Sequence, residues 1–133
     1  MNFLNETSIY HLSGGSESPS LDVVEALAGA GATGFVDGSD EAGIISLTTG
    51  SHVLTGGSIF ALEFSTPYNA SGISPFLLMA PANAAAAALT PAQMIFPDLD
   101  ASGDSYIQFN TGSDALDSGT EYRWVYHVIG RRA

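Results

Sequence analysis

The chain has 133 residues, 45% of them hydrophobic, and three arginines against fourteen acidic residues give it a formal net charge of −11 at pH 7. That length is enough for one domain with its own core, and that composition is too apolar for a disordered chain. The acidic balance excludes a basic surface for nucleic acid and disfavours an anionic membrane as a partner. The absence of cysteine and lysine excludes disulfides, zinc–thiolate sites and a P-loop.

Residues 1–30 are predicted to form an N-terminal arm and linker. Residues 7–12 fit one short strand, and residues 13–20 are a polar stretch rich in serine and glycine that is typical of a flexible linker. Residues 21–28 place apolar side chains at positions 21, 24, 27 and 28, a spacing that fits a helical turn, while an extended arm is the alternative. We expect neither a secretory signal nor a membrane-spanning helix, because no long apolar window is present.

Residues 31–133 are predicted to form one β-sandwich domain. The predicted strands, in chain order, are 33–37, 44–49, 57–64, 74–80, 93–96, 105–110 and 121–129. Turn residues separate these segments, and helical patterns do not alternate with them. This favours an all-β fold, an antiparallel two-sheet β-sandwich of jelly-roll-like kind with seven or eight short strands.

Three segments carry more specific predictions. Residues 74–80 are apolar on both faces, which predicts a central strand buried on both sides. Residues 93–96 lie between Pro91 and Pro97, which suits an edge strand. Residues 82–89 include five consecutive alanines, which favour a helical turn and also permit close backbone approach at a crowded junction such as a subunit axis.

No catalytic or cofactor site is predicted. Neither His11, His52 nor His127 has an acid or another histidine at a ligand-like spacing, and no Gly-x-Ser-x-Gly elbow is present. The Gly-x-Gly-x-x-Gly spacing at residues 29–34 follows a possible helix and opens a strand, whereas dinucleotide binding needs a strand and then a helix. A flexible turn is the prediction there.

The acidic loop around residue 100 is the best candidate for a metal site. Asp98, Asp100 and Asp104 place oxygen ligands as in the first half of a calcium loop, with Gly103 at the sixth position. Phe109 stands where the chelating glutamate is expected. Aspartate and glycine are also the residues of an ordinary hairpin turn, so we predict a plain turn and no metal.

The aromatic residues of segment 121–129 have two possible roles. Tyr122, Trp124 and Tyr126 share one face of the predicted strand. Such a stripe usually marks the buried face of a strand. The alternative is a carbohydrate-binding face, since aromatic rings stack on sugars at a wet edge.

The order of motifs resembles a small domain of tailed-phage virion surface proteins, of the tail-fibre-tip, head-fibre and capsid-decoration type. The similarity spans about residues 29–130 and is carried by segments 29–34, 37–43, 44–50, 64–68, 80–88 and 119–129. The alanine block at 80–88 and the aromatic last strand are its most distinctive parts. The resemblance implies a β-sandwich, often trimeric, that attaches to something and catalyses nothing.

The function expected from this resemblance is that of a viral structural protein and not of an enzyme. A capsid decoration or short-fibre module would assemble as a homotrimer on the virion and stabilise the particle, with the N-terminal arm bound to the major capsid protein or another virion protein. The alternative is a receptor-binding tail-fibre tip that recognises a host cell-surface glycan, with the aromatic strand as its support.

Overall fold

The computed structural model describes residues 18–68 and 75–130. In chain order these residues form β1 (Ser20–Val23), α1 (Glu25–Ala28), β2 (Thr33–Gly38), β3 (Ala42–Thr48), β4 (Ser58–Glu63), β5 (Phe76–Pro81), α2 (Ala84–Ala87), β6 (Phe96–Asp98), β7 (Tyr106–Asn110) and β8 (Glu121–Ile129), with 3-10 turns at Pro91–Gln93 and Leu99–Ala101. The first sheet has the order β1-β4-β7-β6 and the second β2-β3-β8-β5. All the pairs are antiparallel, so the predicted two-sheet β-sandwich is confirmed.

The core lies between the two sheets, and β8 shows why the sequence folds this way. Its even-numbered residues, from Tyr122 to Val128, are buried, and its odd-numbered residues are exposed. The indole of Trp124 contacts the ring of Phe60 across the core, with centroids 6.0 Å apart. Phe60 in turn lies 4.7 Å from Phe109 on the neighbouring strand of its own sheet. Each buried ring of this kind contributes roughly 2 kcal/mol through removal from water.

Strand β4 departs from simple alternation. Its register against β7 shifts between Ser58 and Phe60, and both Ile59 and Phe60 are fully buried. A bulge sets two consecutive residues of one strand against a single residue of its neighbour. Two neighbouring side chains of β4 therefore reach apolar surroundings.

The part of the predicted arm that the structure describes belongs to the sandwich, which corrects the expectation for residues 20–30. Strand β1 pairs with β4, and Leu21 lies opposite Leu62. A Cβ atom on Gly34 would lie only 2.6 Å from Cδ2 of Leu21, so the missing side chain lets β1 pack closely over β2. The apolar spacing in this segment is thus shared between a strand and the single turn of α1. The predicted strand at residues 7–12 lies outside the described residues.

Strand β5 is an edge strand, and the prediction of a central strand buried on both sides is wrong. Leu77 is buried, whereas Phe76 and Leu78 on the opposite side are 42% and 59% exposed. The two sides of this strand are apolar for different reasons. One side faces the core, and the other belongs to an outer surface that is itself apolar.

The predicted strand at residues 93–96 is shifted along the chain. Pro91 begins a 3-10 turn in which the Thr90 backbone N–H donates to Oε1 of Gln93. The strand begins only at Phe96, and it lies at an edge, as predicted. Proline at the first position of the turn and the capping side chains of its ends stabilise the turn over a strand.

The predicted helical turn within the alanine block is confirmed as α2. The side-chain oxygen of Asn83 accepts a hydrogen bond from the backbone N–H of Ala86 at 3.0 Å and so caps the turn. Both helices among the described residues are single turns, and neither has the length or apolar character to cross a membrane.

Candidate interaction surface

The outer surfaces of the two sheets differ in chemistry. Outward-facing residues of the first sheet include Asp22, Glu63, Gln108 and Asn110, with the exposed aromatic residues Tyr106 and Phe96 among them. The outward side chains of the second sheet are mostly apolar and come from all four of its strands. We call this surface the apolar face, and its members are Phe35, Ile44, Phe76, Leu78, Val125 and Ile129.

Strand register brings the members of the apolar face onto one side of the sheet, where Asp37, Ser46, Arg123 and His127 lie among them. Val125 lies opposite Ile44 on one side and opposite Ala80 on the other. Phe35 begins the face on β2, and Phe76 ends it on β5 opposite Ile129. Phe35, Leu78 and Val125 are 53%, 59% and 43% exposed. Single exposed apolar residues are ordinary, but several of them on one side of a sheet can form part of a binding surface.

A charged pair lies at the margin of the apolar face. Nη2 of Arg123 is 3.3 Å from Oε2 of Glu121, and the two side chains are 44% and 45% exposed. An exposed ion pair of this kind contributes less than about 1 kcal/mol, because water and salt screen it. Asp37 lies on the same outer side of the sheet, two strands away on β2. Strand β3 therefore separates the acid from the arginine.

Ser46 on β3 is a buried polar residue beneath this surface. It lies opposite Phe35 on one side and Arg123 on the other. Its side chain is almost fully buried, and its hydroxyl makes no hydrogen bond with any described residue. A buried hydroxyl in that state costs about 1–3 kcal/mol in lost hydration.

Two shallow grooves flank β5. The first has a volume of about 230 Å³ and lies on the apolar face between β5 and β8, next to Leu78 and His127. The second has a volume of about 190 Å³ and lies between β5 and α2, with Met94 and Trp124 among its walls. Both are lined mainly by apolar atoms. Such linings suit apolar side chains of a partner better than a polar substrate.

The turn between β2 and β3 is held by a buried polar cluster next to the apolar face. The Asp40 carboxylate accepts hydrogen bonds from the Ser65 hydroxyl and from the backbone N–H groups of Ser65 and Thr66, at 2.9 to 3.0 Å. The Tyr126 hydroxyl donates to the carbonyl of Ser39. Burial raises the pKa of Tyr126, and the negative charge of Asp40 raises it further. The sequence does not predict this cluster, because Asp40, Ser65 and Tyr126 are far apart in the chain.

The aromatic stripe of β8 lies in the core. Tyr122, Trp124 and Tyr126 are all buried between the sheets. Their rings are therefore not available as a platform for a sugar. Of the two roles considered for this stripe, the core role is confirmed.

The acidic loop around residue 100 is organised by its own hydrogen bonds. Oδ1 of Asp98 accepts from the backbone N–H groups of Asp100 and Ala101, and Oδ2 accepts from the Asn110 side chain at 2.7 Å. The Ser102 hydroxyl donates to the Asp98 carbonyl. Within residues 18–68 and 75–130, no three acidic or histidine side chains are grouped as metal ligands. This geometry is that of a capped turn.

The histidines, which are the remaining candidate site residues, do not lie together in one site. His127 is exposed on the apolar face, and His52 lies in an exposed loop with a left-handed backbone, at φ 58°. His11 lies outside the described residues. The described histidines therefore do not assemble with the acidic loop into one site.

The strongest functional feature of the described residues is thus a surface and not a pocket of reactive groups. Sequence reasoning missed this surface, because its six members come from four strands that only the sheet register brings together. In comparisons with known proteins, no protein-family model, no curated protein and no solved structure matches the chain.

Proposed function

We propose that the chain is a structural module of a virion surface, of the capsid-decoration or short-fibre kind, which assembles as a trimer and stabilises the particle. The viral part of the proposal rests on the resemblance carried by residues 29–130. The observation that supports assembly is the apolar face, which a protein of formal net charge −11 exposes on one sheet, while the outer side of the opposite sheet carries more polar residues around Phe96 and Tyr106.

The argument from the apolar face is one of hydration. Leaving Phe35, Leu78 and Val125 about half exposed costs roughly 25 cal/mol for each Å² of apolar surface in contact with water. Covering the face with another protein surface recovers that free energy. An assembly module therefore has a use for such a face.

Mass measurement tests the trimer. Size-exclusion chromatography with light scattering on the full chain should give three times the monomer mass at high protein concentration. A strict monomer across the accessible concentration range would remove the assembly part of the proposal.

A binding assay tests the location. We expect the purified chain to bind expanded empty capsids of its phage, and we expect deletion of residues 1–17 to weaken that binding, since the arm is the proposed attachment segment. The retained residues 18–133 keep β1 and the rest of the sandwich. Binding to host cells and not to capsids would favour the receptor-binding alternative.

A further inference from the structure

We propose that residues 1–17 bind to the apolar face of their own chain. The segment then covers the outward side chains of the second sheet, among them Phe35 and Leu78. This inference goes beyond the proposed function, and it holds for a chain that never meets a second copy. Attachment of the same segment to a capsid, as proposed above, takes it off the face and leaves the face available on the particle.

The chain enters the sandwich at the edge where the apolar face begins. Pro19 is buried, and β1, which follows it, is an edge strand of the first sheet. Strand β1 packs over β2, since Leu21 closely approaches Gly34. Strand β2 is an edge strand of the second sheet and carries Phe35 on its outer side. Residues 1–17 therefore join the sandwich directly beside the strand at which the face begins.

The sequence of this segment has the two parts that such a cover needs. Residues 13–18 consist of serine, glycine and glutamate only. Six extended residues span about 20 Å, which exceeds the roughly 10 Å between packed sheets, so this polar part is long enough to pass round the edge of β2. The part before it, residues 1–12, is rich in apolar side chains, which are Met1, Phe3, Leu4, Ile9, Tyr10 and Leu12.

The size of the face suits an attached segment better than a separate protein. Four strands about 4.8 Å apart and about 20 Å long present on the order of 400 Å². Stable contacts between separate proteins bury about 800 Å² on each partner. A segment of the same chain is held near the face at an effective concentration in the millimolar range, so a smaller contact is enough to keep it bound. Residues 3–12 are about 33 Å long when extended, which is enough to cross all four strands.

The acid of the apolar part matches the arginine of the face. Glu6 is the only acidic residue among residues 1–12, and Arg123 is the only lysine or arginine between residues 18 and 130. Arginine has five N–H groups, and the contact of Arg123 with Glu121 involves Nε and Nη2. The guanidinium therefore has N–H groups left to donate to a second carboxylate, and we expect Glu6 to supply it.

Thiol labelling tests the cover, because the chain has no cysteine of its own. Leu78→Cys places a thiol on the apolar face, and Leu99→Cys places one beside β6, at leucines that are 59% and 51% exposed. At low protein concentration, Leu78→Cys should react with a maleimide at least about fivefold more slowly in the full chain than in a chain that lacks residues 1–17, because only the uncovered fraction reacts. Leu99→Cys should react equally fast in both. Near-ultraviolet circular dichroism of Trp124 shows whether each variant is folded.

A second pair of variants tests the charge match. In the full chain with Leu78→Cys, Glu6→Gln should raise the reaction rate roughly twofold to fivefold, which is the effect of losing one exposed ion pair. Glu17→Gln removes an acid from the polar part of the segment and should leave the rate unchanged. Equal rates for Glu6→Gln and Glu17→Gln would overturn the pairing with Arg123.

Protein concentration separates this inference from the proposed trimer. Protection of Leu78→Cys that is present at low concentration and lost without residues 1–17 supports cover by the same chain. Protection that appears only at high concentration, with or without residues 1–17, overturns the inference and supports assembly through the face. If Leu78→Cys reacts equally fast in all of these samples, the inference is overturned as well, and the capsid-binding assay still decides the proposed location.

Discussion

Ser39 and Ser46 are both buried, but only the hydroxyl of Ser39 is hydrogen-bonded among the described residues. The Ser39 hydroxyl accepts from the backbone N–H groups of Glu41 and Ala42 at 3.2 and 3.3 Å. The Ser46 hydroxyl is buried to the same extent and makes no hydrogen bond among the described residues. Burial without a partner makes a hydroxyl destabilising, whereas a bonded hydroxyl is close to neutral or favourable.

We therefore predict opposite effects of the same substitution. Ser39→Ala should lower the free energy of unfolding by about 1–2 kcal/mol, because two backbone donors lose their acceptor. Ser46→Ala should leave the free energy of unfolding unchanged or raise it by up to about 1 kcal/mol. Urea unfolding of the two variants beside the wild type measures both values. A loss at Ser46 as large as that at Ser39 would show that the Ser46 hydroxyl has a partner.

Tyr126 links stability to alkaline pH. Burial raises the pKa of Tyr126 above its ordinary value, and the charge of Asp40 adds to the shift. Burial also raises the pKa of Tyr122. A raised pKa means that the folded protein holds the proton more tightly than the unfolded chain. The stability from this effect is complete below about pH 10, the unfolded value, and is lost as the pH rises toward the folded value.

We predict that the free energy of unfolding of Tyr126→Phe falls less steeply with pH than that of the wild type. Above about pH 10, the ionisation of Tyr126 in the unfolded chain lowers the free energy of unfolding by about 1.4 kcal/mol per pH unit. Tyr126→Phe should make the decline shallower by that amount, although it lowers stability at neutral pH by removing the bond to Ser39. Urea unfolding at several alkaline pH values gives the slopes. Equal slopes for the variant and the wild type would contradict a buried, protonated Tyr126.

At the scale of elements, one side chain holds α2 against the second sheet. Oδ1 of Asn83 accepts from the backbone N–H groups of Ala86 at 3.0 Å and Arg123 at 3.2 Å, and its Nδ2 donates to the carbonyl of Glu121 at 3.0 Å. A cap of this kind is worth about 1 kcal/mol for a helix. Here the same amide also joins the turn to the start of β8.

Asn83→Ala should lower the free energy of unfolding by about 2 kcal/mol, because it removes both the cap and the link to β8. Thr90→Ala is the matched control, since Thr90 caps the next turn but its side-chain contact with Gln93 is exposed. That control should cost less than about 0.5 kcal/mol. Thermal unfolding followed by circular dichroism compares the two, and equal losses would show that Asn83 acts only as an exposed cap.

The elements that sequence reasoning predicted well are those with one buried side. Strand β8 alternates along its whole length, and its predicted bounds, 121–129, are those observed. Strand β5 was wrongly predicted to be central in its sheet. A strand with one buried side and one exposed apolar side has the same sequence pattern as a strand buried on both sides. Strand β1 was missed, because four residues hold too few periods to distinguish a strand from a helical turn.

The apolar face was beyond prediction for a different physical reason. Phe35 and Phe76 are 41 positions apart in the chain, and they share a surface only because β3 and β8 lie between their strands in a fixed register. A shift of one residue in that register would turn every outward side chain inward. Periodicity within a segment predicts which residues share a side, but it does not predict which strands become neighbours.

At the scale of the whole molecule, charge opposes compactness. Fourteen acids face three arginines, and folding brings those acids closer together than they are in the unfolded chain. Such self-repulsion destabilises the folded state. Salt screens it, because the Debye length falls from about 30 Å at 0.01 M to about 3 Å at 1 M.

We therefore predict that sodium chloride raises the midpoint of thermal unfolding by several degrees between about 0.01 M and 0.5 M. A variant with Asp100→Asn, Asp104→Asn and Asp114→Asn removes three exposed charges, which changes the formal net charge from −11 to −11 + 3 = −8. This variant should unfold at a higher temperature than the wild type in low salt and should gain less from added salt. Differential scanning calorimetry at a protein concentration below the association midpoint keeps the monomer as the species measured. If the wild type and the variant respond equally to salt, repulsion among the acids is not what salt relieves, and the negative charge of this chain is tolerated without cost to its fold.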